Sequence, residues 1–217
     1  MRSIGSWLRK SPFVRIALGF ILAALFLAAF GWFLTGPYRE SAQPFDASIR
    51  YAMRQIQSPM WTTVFLAVTK LGSTIYLAIV GVAVGLVLIF SRLFRPLFFL
   101  IIAMLGQAAL HHSFKWLYAR PRPANLILYR APESSGFPSG HTIAALCLYG
   151  VIAWIVTRQI ENPAVKSIVW IFTIILVFLV GVSRVYIGIH YPTDVLAGFV
   201  AGSIWLAGVM AADRKPL

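Results

Sequence analysis

With 217 residues, 59% of them hydrophobic, and a mean hydropathy of +0.81, the chain is more apolar than the roughly 45–50% typical of soluble domains, which excludes a soluble globule. The net charge of +13 does not point to nucleic acid, because the basic residues gather at the ends of apolar runs and form no stripe on a soluble module. Anionic lipid head groups and phosphate-bearing substrates are the partners that charge suits, and the single cysteine, Cys147, lies in an apolar run and reads as a small core residue, with no disulfide or Cys-based metal site open to it.

The polar, basic stretch 1–15 (Arg2, Arg9, Lys10, Arg15) leads into an apolar run over 16–34. Ala28 and Ala29 could mimic a signal-peptide cleavage region. The run is long for a signal core, however, and continues through Trp32 and Phe33, which fits an uncleaved first span. Gly36-Pro37, several charges and Pro44 break the pattern over 36–57. From there Phe45, Ile49, Met53 and Ile56 recur at three- and four-residue spacing, while Asp46, Arg50 and Arg54 share a polar face. This predicts an amphipathic helix in the membrane interface, on which Asp46 belongs to a lid or anchor without chemistry. The stretch 58–69 is apolar but too short to span, so 44–70 is expected as an interfacial segment, with 58–69 a partial insertion or a helical extension.

Further spans are expected over 71–91, 96–114, 139–157, 167–183 and 194–212. A basic turn at Arg92 and Arg95-Pro96, a loop rich in Pro, Arg and Ser over 118–138, and a polar turn with Pro163 separate them. The expected fold is all-α, a single polytopic membrane helical bundle over 1–217 with six transmembrane helices plus the interfacial amphipathic helix. No period of 20–50 residues recurs. Gly81-x-x-x-Gly85 and Gly198-x-x-x-Gly202 read as close helix contacts rather than dimer motifs.

Span alternation then groups the polar residues. Lys115 closes the third span and His141 opens the fourth; Arg184 closes the fifth, and His190 and Asp194 open the sixth. All face one compartment at similar depth. With the N-terminus inside, ten Lys and Arg fall on inner segments and nine on outer ones; setting aside Lys115, Arg122 and Arg184 leaves ten against six, and the positive-inside rule puts the cluster outside.

Three segments carry the chemistry: Lys115-x6-Arg122-Pro123, Pro138-Ser139-Gly140-His141 and Ser183-Arg184-x5-His190-x3-Asp194. Charges at the edge of hydrocarbon are costly and mark a site. Arg and Lys neutralise phosphate oxygens, Arg bidentately. Pro-Ser-Gly ahead of an apolar helix sets a hydroxyl and free backbone N–H groups at a helix N-terminus, a natural anion cradle. Two histidines can divide nucleophile and general acid between them. His190 and Asp194, four apart with Pro192 at an early helical position, share one face, so that the carboxylate can fix the imidazole tautomer.

In order, internal spacing and position relative to the spans, these segments resemble the three signature motifs of the type 2 phosphatidic acid phosphatase family, the lipid phosphate phosphatases. The motifs cover Lys115 to Asp194 with no departure at a motif position, and the six-span layout extends the likeness over most of the chain. The resemblance implies that His190 attacks phosphorus to form a phosphohistidine and that His141 protonates the leaving lipid oxygen, then activates water. It implies that Lys115, Arg122 and Arg184 hold the phosphate oxygens with Ser139 and the Gly140 backbone, and that Asp194 orients His190. No cofactor or metal is implied, in keeping with carboxylates (Asp46, Glu133, Asp194) too few and scattered for a Mg²⁺ cage. The compact form resembles bacterial members, which implies action on undecaprenyl pyrophosphate, phosphatidylglycerophosphate, phosphatidic acid or lipid A phosphates; with the charge balance, a plasma membrane enzyme with an outward-facing site is expected.

Other polar residues have plainer readings. His111 and His112 are adjacent and point to different faces, a poor chelate, so one of them is expected in polar packing or a substrate channel. Arg120 competes with Arg122, since both precede proline; motif spacing favours Arg122, leaving Arg120 and Arg130 to head groups or other loop residues. Trp7, Trp32, Trp61, Trp116 and Tyr118 read as interface anchors. Two alternative functions keep the same residues: a lipid phosphotransferase, and a non-enzymatic lipid-phosphate binder or transporter. Binding alone requires no nucleophile, so the paired histidines and Asp194 weigh against the latter.

Overall fold

The computed structural model describes residues 11–123 and 134–213. Arg2, Trp7, Arg9, Lys10, Arg130 and Glu133 fall outside them. The described residues form eight α-helices and no strand: α1 Pro12–Thr35, α2 Arg39–Gln55, α3 Pro59–Lys70, α4 Thr74–Phe90, α5 Phe94–Tyr118, α6 Gly140–Thr157, α7 Pro163–Tyr186 and α8 Pro192–Ala212. Helices α1, α5, α6, α7 and α8 are each long and apolar enough to cross a bilayer, and α3 with α4, bent by 46° where they meet, makes a sixth crossing if taken as one. Backbone polar groups have no partner in hydrocarbon, so helices that satisfy their own hydrogen bonds are the form such runs must take.

The stretch expected as one interfacial segment is two helices. The first ends at Gln55, and Ser58 caps the second, its hydroxyl accepting from Trp61 N at 3.3 Å, with Pro59 in the first helical position. A second break follows at 71–73. There Ser73 Oγ donates to Lys70 O at 2.7 Å and accepts from Tyr76 N, and the Tyr149 hydroxyl donates to Leu71 O at 2.7 Å. The carbonyls freed by the bend therefore keep partners.

Helices α1, α5, α6 and α8 enclose the main core, in which Leu27, Leu110, Ile143, Leu148, Val151 and Trp205 are almost wholly buried. Helix α1 buries Gly19, Ala23, Leu27, Gly31 and Leu34, a stripe of small and aliphatic residues about one turn apart. At Gly19 and Gly208 the α1 and α8 backbones touch: a Cβ on either would lie within 2.8 Å of the other's Cα. Gly198 and Gly202 meet Thr142, Ile143 and Leu146 of α6, so this small-residue pair packs inside the bundle. A smaller core of Phe65, Tyr186, Ile187 and Ile189 seats α3 against the end of α7. Away from the site, Asp213 at the end of α8 pairs with Arg95 of α5 and with Arg158 beyond α6 (2.9 Å). The other end of the bundle carries Lys115, His141, Arg184 and His190 together.

Candidate active site

The turn between α7 and α8 presents the central histidine. Gly188 has φ 86°, a left-handed conformation that favours glycine, and it lets Ile189 N and His190 N both donate to Arg184 O (3.2 and 3.3 Å). Asp194, one turn into α8, accepts from Tyr191 N at 2.9 Å through Oδ2. The same oxygen lies 3.6 Å from His190 Nδ1, an ion-pair separation too long for a hydrogen bond, while His190 Nε2 is 3.2 Å from Arg122 NH1. The imidazole thus turns one nitrogen to a carboxylate and the other to a guanidinium.

Arg122 is braced on backbone carbonyls: Nε donates to Ser134 O and NH1 to Ile189 O, both at 2.8 Å. Those bonds leave it in place beside His190 before any substrate arrives. Arg184, 5% exposed, donates to Thr69 Oγ1 of α3 at 2.6 Å. Lys115 Nζ lies 3.3 Å from His111 Nε2, one turn back on α5. Gly140 permits this arrangement, because a Cβ there would sit 2.4 Å from His111 Nε2. At the start of α6 the first backbone N–H groups have no carbonyl four residues earlier within the helix to bond, and here they border the site.

A cavity of about 490 Å³ opens where these parts meet. Of the residues expected at the site, Lys115, Arg122, Gly140, His141, Arg184 and His190 line it; Asp194 stands behind His190. Ser139 is set back: it is fully buried, its Oγ accepts from Thr142 Oγ1 at 2.9 Å, and its N–H donates to Asp194 O at 3.0 Å. That last bond ties the start of α6 to the first turn of α8. Both His111 and His112 line the cavity, where only one was expected to take part. Among the described residues no carboxylate lines it, and none form a group of three His, Cys, Asp or Glu side chains placed for a metal ion.

Three cations around a small cavity shape its electrostatics. Burial pushes the His190 imidazole down to about 4; the Asp194 carboxylate pulls upward, and Arg184 and Arg122 push further down. His190 is therefore neutral at ordinary pH, and its Nε2 lone pair accepts from Arg122 NH1. Burial also lowers Arg122 below its ordinary range, opposed by Asp194.

Arg120 departs from its expected place. It is 9% exposed, its guanidinium turned toward the start of α8. Its NH1 donates to Asp194 Oδ1 at 2.5 Å and to Thr193 Oγ1 at 2.9 Å, its NH2 donates to Asp46 Oδ2 at 3.0 Å, and its guanidinium lies 4.4 Å from the Tyr191 ring centroid. The turn at Ala119, φ 42°, redirects the chain to allow it. Asp46, 3% exposed, faces inward from α2 and not along a solvated polar face; it accepts from Thr193 N at 2.9 Å and from Thr193 Oγ1 at 2.8 Å. A buried arginine between two carboxylates offsets its desolvation with charge-assisted bonds. One signal was present: the chain has only six acidic residues against nineteen basic ones, so a carboxylate here is seldom decoration. Tyr118 also departs, packing on Phe137 and donating to Ala28 O, whereas Trp32, Trp61 and Trp116 are exposed as interface anchors.

Comparison with known proteins places this geometry in context. Residues 96–216 match the PAP2 superfamily profile, a stretch that contains every residue lining the cavity except four from 72–78. Over 179 residues, 82% of this chain and 88% of the relative, the sequence is 31% identical to phosphatidylglycerophosphatase B of Bacillus subtilis. It is 34% identical over 128 residues, 57% of each chain, to undecaprenyl-diphosphatase of Sulfolobus acidocaldarius. The crystal structure of a transmembrane PAP2 type phosphatidylglycerolphosphate phosphatase from Bacillus subtilis superposes with a TM-score of 0.77 at 29% identity, covering 88% of this chain and 94% of that one. The chain is an integral membrane protein that belongs to the PAP2 superfamily.

Proposed function

We propose that the protein is a metal-independent phosphatase that cleaves a lipid phosphate or pyrophosphate through a phosphohistidine on His190. One observation carries the reading: His190 lines the same cavity as Lys115, Arg122 and Arg184, with Nε2 3.2 Å from Arg122 NH1 and Nδ1 facing Asp194. Nε2 attacks phosphorus and the bond to the leaving oxygen breaks. His141 gives that oxygen its proton, and Asp194 stabilises the charge that His190 acquires. Water then attacks the phosphohistidine, His141 takes its proton, and inorganic phosphate leaves. Lys115, Arg122 and Arg184 stabilise the spread negative charge of the transferring phosphoryl group, helped by the N–H groups at Gly140. Ser139 joins α6 to α8 through its N–H on Asp194 O; its hydroxyl oxygen accepts from Thr142, and its own O–H remains to donate to a phosphate oxygen.

The substrate class follows from the setting. The cavity lies at one end of a membrane bundle, where a phosphate can enter while its lipid chain stays in the bilayer. The two relatives are named for phosphatidylglycerophosphate and undecaprenyl diphosphate, and these head our list of substrates, with phosphatidic acid third. We place the protein in a bacterial plasma membrane with the site outward, on the ten-to-six balance of basic residues.

The test is phosphate release from these three lipids in detergent with EDTA, for wild type and His190→Ala. A loss of at least about 10³-fold is expected. Equal activity in the two proteins sinks the mechanism, and release that requires an added acceptor hydroxyl replaces hydrolysis with phosphotransfer.

A further inference from the structure

A second cavity, of about 570 Å³, lies on the other side of the Arg120–Tyr191 wall from His190. It sits at the same end of the bundle, between the end of α1, the end of α5 and the inner face of α2. Arg39, Arg50 and Arg120 line it with a single carboxylate, Asp46. Arg120 is committed to Asp46 and Asp194. Arg39 and Arg50 have no acidic partner among the described residues. Arg50 is held 5.3 Å from the Tyr191 ring centroid, and its Nε is buried without a hydrogen-bond acceptor. A buried N–H left unpaired is costly, which marks a group that no acceptor among the described residues satisfies. Trp32 and Tyr38, both exposed and packed edge-to-face at 5.5 Å, flank the same corner and mark the depth of the lipid head groups.

We propose that this cavity binds a phosphate-bearing anion through Arg39 and Arg50, as a site separate from the reaction cavity. Two guanidinium groups with no carboxylate paired to them among the described residues match a tetrahedral oxyanion, which each can engage bidentately. The Gln43 amide lines the same space and offers a donor and an acceptor to hydroxyls on the head group. Because the ligand would lie against Arg120 and Tyr191, it touches the two residues that back the His190–Asp194 pair. The anion comes either from an anionic lipid head group or from free phosphate.

The full chain in detergent is examined by native mass spectrometry with dioleoyl-phosphatidylglycerol or dioleoyl-phosphatidylcholine. Wild type is expected to retain the anionic lipid about tenfold better, a preference that Arg39→Gln/Arg50→Gln removes and Arg122→Gln, on the far side of the wall, preserves. The Arg39→Lys/Arg50→Lys protein keeps the charge and is expected to keep part of the preference, which separates loss of charge from misfolding. Displacement of the lipid by millimolar inorganic phosphate supports the site and names free phosphate as a ligand; resistance to displacement supports it and names the lipid head group. A preference that survives Arg39→Gln/Arg50→Gln, or that disappears with Arg122→Gln instead, overturns the proposal. Lipid retention does not depend on turnover, so this result and the His190→Ala comparison fail independently.

Discussion

Two regions of the molecule divide the work of the site. Residues 115–194 supply the cationic and imidazole groups that close on phosphate: Lys115, Arg122, His141, Arg184 and His190. Residues 39–70 line none of that cavity, yet they hold several of its parts from behind. Asp46 receives Arg120 and the start of α8; Thr69 receives Arg184; Gln57 Nε2 donates to Tyr186 O at 3.1 Å, and the Tyr186 hydroxyl meets Ser58 N and Thr62 Oγ1. The front is defined by chemistry and the back by position. A phosphate-facing group must be a cation or a nucleophile, whereas a supporting group can be any acceptor that arrives at the right distance.

The largest expected effect falls at Asp194, which the back region reaches only through Arg120. Asp194 faces His190 in front and receives Arg120 from behind. Asp194→Asn keeps the shape but loses the charge that stabilises a positively charged His190, and its amide can misorient the ring. We expect kcat to fall by about 10³–10⁴-fold with KM little changed, by analogy with the orienting carboxylate of a triad. A fall confined to KM would show that Asp194 serves substrate binding and not the histidine.

That asymmetry also explains what could be read in the chain beforehand. The front was legible because charged residues at the ends of apolar runs are expensive, and span alternation alone brought Lys115, His141, Arg184 and His190 to one side. The back was not. Asp46 lies on a helix whose apolar spacing suggested membrane contact, and periodicity says which residues share a face without saying what that face meets. Arg120 and Arg122 carry the same local signature, an arginine before proline, and only the turn at Ala119 and two distant carboxylates send them to opposite sides of a wall. Ser139 shows the reverse problem. Its position at a helix start suggested a phosphate contact; the side chain is fully buried and its oxygen accepts from Thr142, which its place in the sequence did not show.

A smaller effect is expected from the back alone. Thr69→Val is nearly isosteric and removes the acceptor that meets Arg184 NH1 at 2.6 Å. A hydrogen bond to a charged group contributes about 1.5 kcal/mol or more, so a roughly tenfold loss of kcat/KM is expected, with no change in which lipids are cleaved. If Thr69→Val costs as much as Arg184→Gln, the distinction between presenting and supporting residues fails at this position.

The smallest effect is a shift along the pH axis, and its sign separates the two neighbours of His190. Burial, with Arg184 and Arg122, holds the imidazole down at about 4, against the pull of Asp194. Attack needs the neutral ring, so the acid limb of kcat/KM is expected below the unperturbed histidine value of about 6.5. Arg122→Gln removes a positive charge 3.2 Å from Nε2, making the protonated ring less unfavourable. The limb then moves up. Asp194→Asn removes the charge that favours protonation, and the limb moves down. Residual activity in both variants, measured from pH 3 to 8 on one lipid phosphate beside the wild type, gives the two directions. Shifts of the same sign would mean that the limb reports another group, with His141 the first to examine because it lines the same cavity.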